Sequence, residues 1–149
     1  MIAAIRPHAW DVPLFLHVLG AMVLVGAVLA VVVLALAAWR QPTLAVLARS
    51  SFWTLLVAAV PAYVVMRGAG QWIYSKEGFS GSNDPTWLGI GFLAGDLGLL
   101  LLLVTTGAAF WWMRSGKAIA GRLVAGLSCV YLALLTVAWL AMSGKWGSG

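Results

Sequence analysis

Charge is scarce in this sequence. Of 149 residues only nine are Lys or Arg and four are Asp or Glu, 9% in all, where a soluble domain carries about 25%. So few charges cannot clothe a water-soluble core, and a chain that is 63% hydrophobic calls for lipid as its solvent. Cysteine occurs once, at Cys129. A single thiol forms no intramolecular disulfide or dithiol pair, which argues against a quinone-linked disulfide oxidoreductase. No phosphate loop, zinc-ligand spacing or nucleophile with an adjacent base is present. The absence of a conventional catalytic motif leans the chain away from enzymes. The net charge of +5 is strung along loops and makes no patch for nucleic acid.

What is present in quantity is apolar helix. The chain reads as all-α, a single domain over 1–149, with transmembrane helices at about 12–39, 51–74, 87–113 and 121–142. Each run reaches the roughly 20 residues that cross a bilayer. The first is too long for a signal-peptide core and lacks a cleavage site. Asp11 and Pro13 suit the opening of the first helix, and Gln41-Pro42 suits its end. Asp84-Pro85 suits the start of the third, as N-cap and first helical residue. Residues 43–49 are helix-compatible, so the second helix has room to begin early. Pro61 sits inside that helix and predicts a kink.

Orientation follows from lysine and arginine. Arg40, Arg49, Arg114, Lys117 and Arg122 flank one side, against Arg6, Lys76 and Lys145 on the other. The positive-inside rule then places both termini and the 75–83 loop outside a bacterial cytoplasmic membrane. Trp10, Trp72, Trp87, Trp139 and Trp146 form an outer aromatic belt, and Trp39, Trp53, Trp111 and Trp112 an inner one.

Three ionisable residues fall inside spans: His17, Arg67 and Asp96. Such residues are expensive in hydrocarbon and mark functional sites by default. At about 1.5 Å per residue, His17 lies about 9 Å in from Asp11, Arg67 about 10 Å from Tyr74, and Asp96 about 13 Å from Trp87. All three belong to the outer half. Arg67 and Asp96 are natural partners, either as a structural lock or as a relay. Gln71 and Tyr74 extend the Arg67 face outward. His17 is open to three readings: a hydrogen-bonded structural residue, a proton carrier, or an axial ligand to haem iron or copper. Met22, Met66 or Met142, or His17 of a second copy, would serve as the other ligand, and His8 is the only further histidine. Gly91, Gly95 and Gly98 make a small-residue ridge on the third helix, with Asp96 beside it and expected to be sheltered from lipid. Gly121, Ala125 and Cys129 make a similar seam on the fourth.

Leu14-Phe15-Leu16-His17-Val18-Leu19-Gly20-Ala21, in the first helix of a four-helix membrane protein, resembles the superfamily of copper-resistance protein D and the HemJ-type protoporphyrinogen oxidases. The ending Ala141-Met142-Ser143-Gly144-Lys145 is similar to the tail of one uncharacterised bacterial group within it. The resemblance implies haem binding at the first-helix histidine and so nominates His17. The further histidine and the deep basic residue of the HemJ pattern are missing here. A pocket of His17, Arg67, Gln71 and Asp96 is thus expected to bind haem b or another redox cofactor, with His17 as metal ligand and Arg67 facing a propionate. Two other readings stand beside it. One is a proton-coupled transporter or channel subunit, with Asp96 as the titrating carboxylate. The other is a scaffold or helper subunit of a larger membrane complex. Lipid, and a second copy or a membrane partner, are the expected company.

Overall fold

The structure, a computed structural model, describes residues 11–40, 45–77 and 86–144. Within these the chain forms four long helices: α1 (Asp11–Arg40), α2 (Ala45–Glu77), α3 (Thr86–Ser115) and α4 (Ala118–Gly144). All four are long and apolar enough to cross a membrane. The four-helix membrane bundle expected from the sequence is therefore observed.

α1, α3 and α4 run one to three residues past their expected limits. α2 begins six residues before the expected 51, because Ala45–Trp53 continues straight into the span. In that early turn Ala48 is buried at 4% exposure while Arg49 faces outward. The Asp84-Pro85 cap, the Gln41-Pro42 stop and His8 lie outside the described residues.

The kink expected at Pro61 takes a definite form. Thr54–Ala59 is π-helical, and the Val60 N–H donates to the Leu55 carbonyl, five residues back. Proline has no N–H, and its ring collides with the carbonyl four residues earlier. A wider turn just before it lets the helix absorb that fault without a break. At the other end of the bundle α3 stops at Gly116, whose φ of +63° needs a residue without Cβ. The Gly116 N–H closes on the Trp112 carbonyl at 2.9 Å, a left-handed helix cap. Only Gly116 and Lys117 separate α3 from α4, so those two helices must be antiparallel.

Small residues set the packing. On α1, a Cβ at Gly20 would lie 2.8 Å from the Met66 nitrogen and 2.9 Å from the Ala62 carbonyl, so α1 and α2 touch backbone to backbone there. On α3 the expected ridge works differently. Gly91 receives the Met142 side chain, Gly95 the Arg67 guanidinium and Gly98 the Tyr131 ring. The glycines make slots for large side chains on a helix that packs closely against α4. Gly121 does the same for Trp112, which is thereby buried at 6% exposure and leaves the expected inner belt. On α4 the buried face is Gly121, Val124, Ala125, Ser128 and Tyr131. Cys129 is exposed, which corrects its assignment to the seam: it stands one residue, about 100°, round from Ser128.

The helices pack in a ring, α1 on α2, α3 on α4 and α1 on α4. The fourth side is uneven. Ala45–Trp53 packs on α3, whereas Val60–Glu77 scarcely touches it. The bundle is closed at the end where α1 finishes and open between α2 and α3 at the end where α1 begins.

Candidate functional site

That open seam is where the charged pair sits. On α2 the stripe Tyr63, Arg67 and Tyr74 turns toward α3. Arg67 Nη2 donates to Asp96 Oδ1 at 2.8 Å. The guanidinium lies 4.6 Å over the Phe92 ring and against Gly95, whose missing side chain makes room for it. Tyr74 closes edge-on against Phe92, with ring centroids 5.1 Å apart. One turn deeper, the Tyr63 hydroxyl donates to the Gly95 carbonyl at 3.0 Å. Arg67 is thus held on three sides by α3, and Tyr63 ties the same two helices beneath it.

Asp96 is the surprise. Its side chain is 69% exposed, against 31% for Arg67. The expectation that the carboxylate is sheltered from lipid is corrected here. Gly95 and Gly98 point into the bundle, and Asp96, about 100° on from Gly95, projects past the edge of α2. Its eleventh position in the 30-residue α3 puts it some 7 Å from the helix midpoint, within the depth of a hydrocarbon core about 30 Å thick. At that depth the pair is bonded through one nitrogen and one oxygen.

His17 belongs to a different seam. Its Nδ1–H donates to the Met66 carbonyl at 2.8 Å, and its ring packs over Gly70, where a Cβ would come within 3.1 Å. Met66 and Gly70 share the face of α2 that meets α1, while Arg67 faces α3. The four residues expected in one pocket are divided accordingly: Arg67 and Asp96 meet, His17 sits across α2 from them, and Gln71 is exposed. The carbonyl bond places a proton on Nδ1, so the neutral tautomer that fits it carries its lone pair on Nε2. Of the methionines considered as second ligands, Met22 faces outward at 68% exposure and Met142 is packed on Gly91 in the α3–α4 seam. Met66 contributes its carbonyl. Among the described residues no three His, Cys, Asp or Glu side chains gather as a metal cluster.

Two residues of the site, Tyr63 and Phe92, were not picked out from the sequence, nor were the buried Ser128 and Tyr131 of α4. Tyr63 had a signal, since it precedes Arg67 by four and continues the Arg67, Gln71, Tyr74 stripe inward. Phe92 likewise precedes Asp96 by four. Tyr131 and Ser128 are buried at 1% and 0% exposure on α4, and only the packing of α3 on α4 brings Tyr131 against Gly98. At the opposite end of the bundle, Ala38, Trp39, Gly116, Gly121 and Arg122 line a separate cleft. No family model, curated protein or solved structure matches the chain.

Proposed function

We propose that the protein is a proton-coupled membrane transporter or channel subunit in which Asp96 takes up and releases the proton. The observation that carries this reading is the exposure of Asp96 beside Arg67 in a seam that opens at one end of the bundle. A carboxylate with one bonded oxygen and one free face is placed to exchange a proton while Arg67 holds its position. Asp96 projects past the edge of α2, with its side chain 69% exposed. The free face of Asp96 therefore meets a second copy or another membrane protein across a water-filled mouth, in keeping with the rule that intramembrane charges line protein interiors or wet cavities. The lysine and arginine distribution favours an outer-side mouth in a bacterial cytoplasmic membrane, with both termini outside.

The test is proton flux in liposomes holding the purified protein. Asp96→Asn is expected to abolish a flux that Asp96→Glu retains. Flux unaltered by Asp96→Asn removes this reading. If the reconstituted wild type carries no flux and His17→Ala with Asp96→Asn changes only stability, the chain is a helper subunit instead.

A second reading has its own support in His17. An imidazole whose Nδ1–H is tied to a backbone carbonyl is oriented as metal-ligating histidines are, with Nε2 free. Together with the resemblance of Leu14-Phe15-Leu16-His17-Val18-Leu19-Gly20-Ala21 to the copper-resistance protein D and HemJ-like superfamily, this favours b-type haem or another redox cofactor at His17. Arg67 is engaged by Asp96, so a propionate would have to compete for it. Purified protein, as isolated and after added hemin, should then show a Soret band that His17→Ala removes. A spectrum without one, even with hemin supplied, ends the haem reading.

A further inference from the structure

Four short hydroxyls in the described spans are satisfied within their own helix. Ser51, Thr105, Thr106 and Thr136 each donate to the carbonyl four residues earlier, at 2.6 to 2.8 Å. That is how a short hydroxyl is ordinarily satisfied inside an apolar helix. Ser128 and Tyr131 behave otherwise. Both are buried, and neither hydroxyl has a hydrogen-bond partner. Ser128 has the Val124 carbonyl one turn back and leaves it unused.

These two orphans are placed together. Three residues apart, they share one face of α4, and Tyr131 is the middle residue of that 27-residue helix. Across from them α3 presents Gly98, where a Cβ would lie 2.9 Å from the Tyr131 ring and 3.4 Å from its hydroxyl. One turn along α3, Gly95 holds the Tyr63 hydroxyl. The two tyrosines thus reach α3 one turn apart, and Tyr63 stands one turn from Arg67 on α2. Buried donors and acceptors left dry are costly. A polar spot of this kind is where internal water is found, typically making about three hydrogen bonds.

The geometry points to an internal water site at mid-membrane, held by the Ser128 and Tyr131 hydroxyls and continuing the line Asp96, Arg67, Tyr63 inward. Its role as the next station for a proton rests on the proposed function of Asp96. Its existence does not. Ser128 Oγ and the Tyr131 oxygen each donate to or accept from the water, and Gly98 gives the Tyr131 ring the room it occupies against α3.

Nuclear magnetic resonance on the full chain in lipid nanodiscs tests this directly. Long-lived water should give cross-peaks to the amides of Gly98, Ser128 and Tyr131, and these should vanish in the Ser128→Ala, Tyr131→Phe double variant. If that variant does not fold, Tyr131→Phe alone, which removes one oxygen, is read in the same way. No such cross-peaks in the wild type, or cross-peaks unchanged in the variant, overturn the site. Flux measured on the same preparations separates the two proposals. Cross-peaks with flux indifferent to Asp96→Asn uphold the water site and remove the proton reading. Missing cross-peaks with flux that depends on Asp96 do the reverse.

Discussion

Gly20 is the tightest point between α1 and α2, and the atoms it meets are backbone. With Met66 N, Ala62 O and Met66 Cα at 2.8 to 3.0 Å from where its Cβ would be, no side-chain rotation relieves an added methyl. Gly20→Ala should therefore destabilise the protein by about 1–3 kcal/mol, the range for overpacking a tight interface. Gly26→Ala, on the same helix with nothing within 4 Å, should leave stability within about 0.5 kcal/mol. Unfolding of the two variants in detergent, compared with wild type, measures both. A smaller loss for Gly20→Ala than for Gly26→Ala contradicts the packing. At this scale the sequence was informative about which residues matter and less so about where they point. Matching depths were enough to pair Arg67 with Asp96. The exposure of Asp96 was not legible, because it depends on how far α2 covers α3, and no spacing within α3 records that. The division of His17 from Arg67 has the same origin: Met66 and Arg67 are adjacent in the chain but face different helices.

Among the elements, α2 and α3 each carry a local fault with a local remedy. The kink in α2 was legible as Pro61, but its expression as a π-helical turn over Thr54–Ala59 was not, since that choice depends on the packing of the flanking turns on α1 and α3. Gly116 ends α3 in the left-handed region, where a Cβ is penalised by roughly 1–2 kcal/mol. Gly116→Ala should lower stability by about that amount. Gly107→Ala, in the interior of α3 with open space beside it, should hold or raise stability, since alanine is favoured over glycine in helices by up to about 1 kcal/mol. Thermal unfolding of both variants in one detergent checks the contrast in sign. The glycine ridge of α3 was legible as a contact surface. That it accepts Met142, Arg67 and Tyr131 follows only from the partners the fold supplies.

For the molecule as a whole, composition was decisive. Thirteen charges in 149 residues and four long apolar runs leave little besides a helical membrane bundle, and the four helices have that form. The ring of contacts and its open side were not legible, because inter-helix order in a bundle of similar apolar helices is written in shape more than in periodicity. Orientation is testable by cysteine labelling in a Cys129→Ala background. A membrane-impermeant maleimide should modify Ser80→Cys in intact cells and Lys117→Cys only after permeabilisation. The opposite pattern inverts the bundle. The central claim is that Asp96 is open to protons from one end, and infrared spectroscopy of the protein in bilayers reads it most directly. A carboxylic-acid C=O band that rises and falls reversibly with bulk pH, and is missing in Asp96→Asn, is the predicted result. An Asp96 band that does not respond to bulk pH, or a spectrum that Asp96→Asn leaves unchanged over the whole pH range, would contradict it.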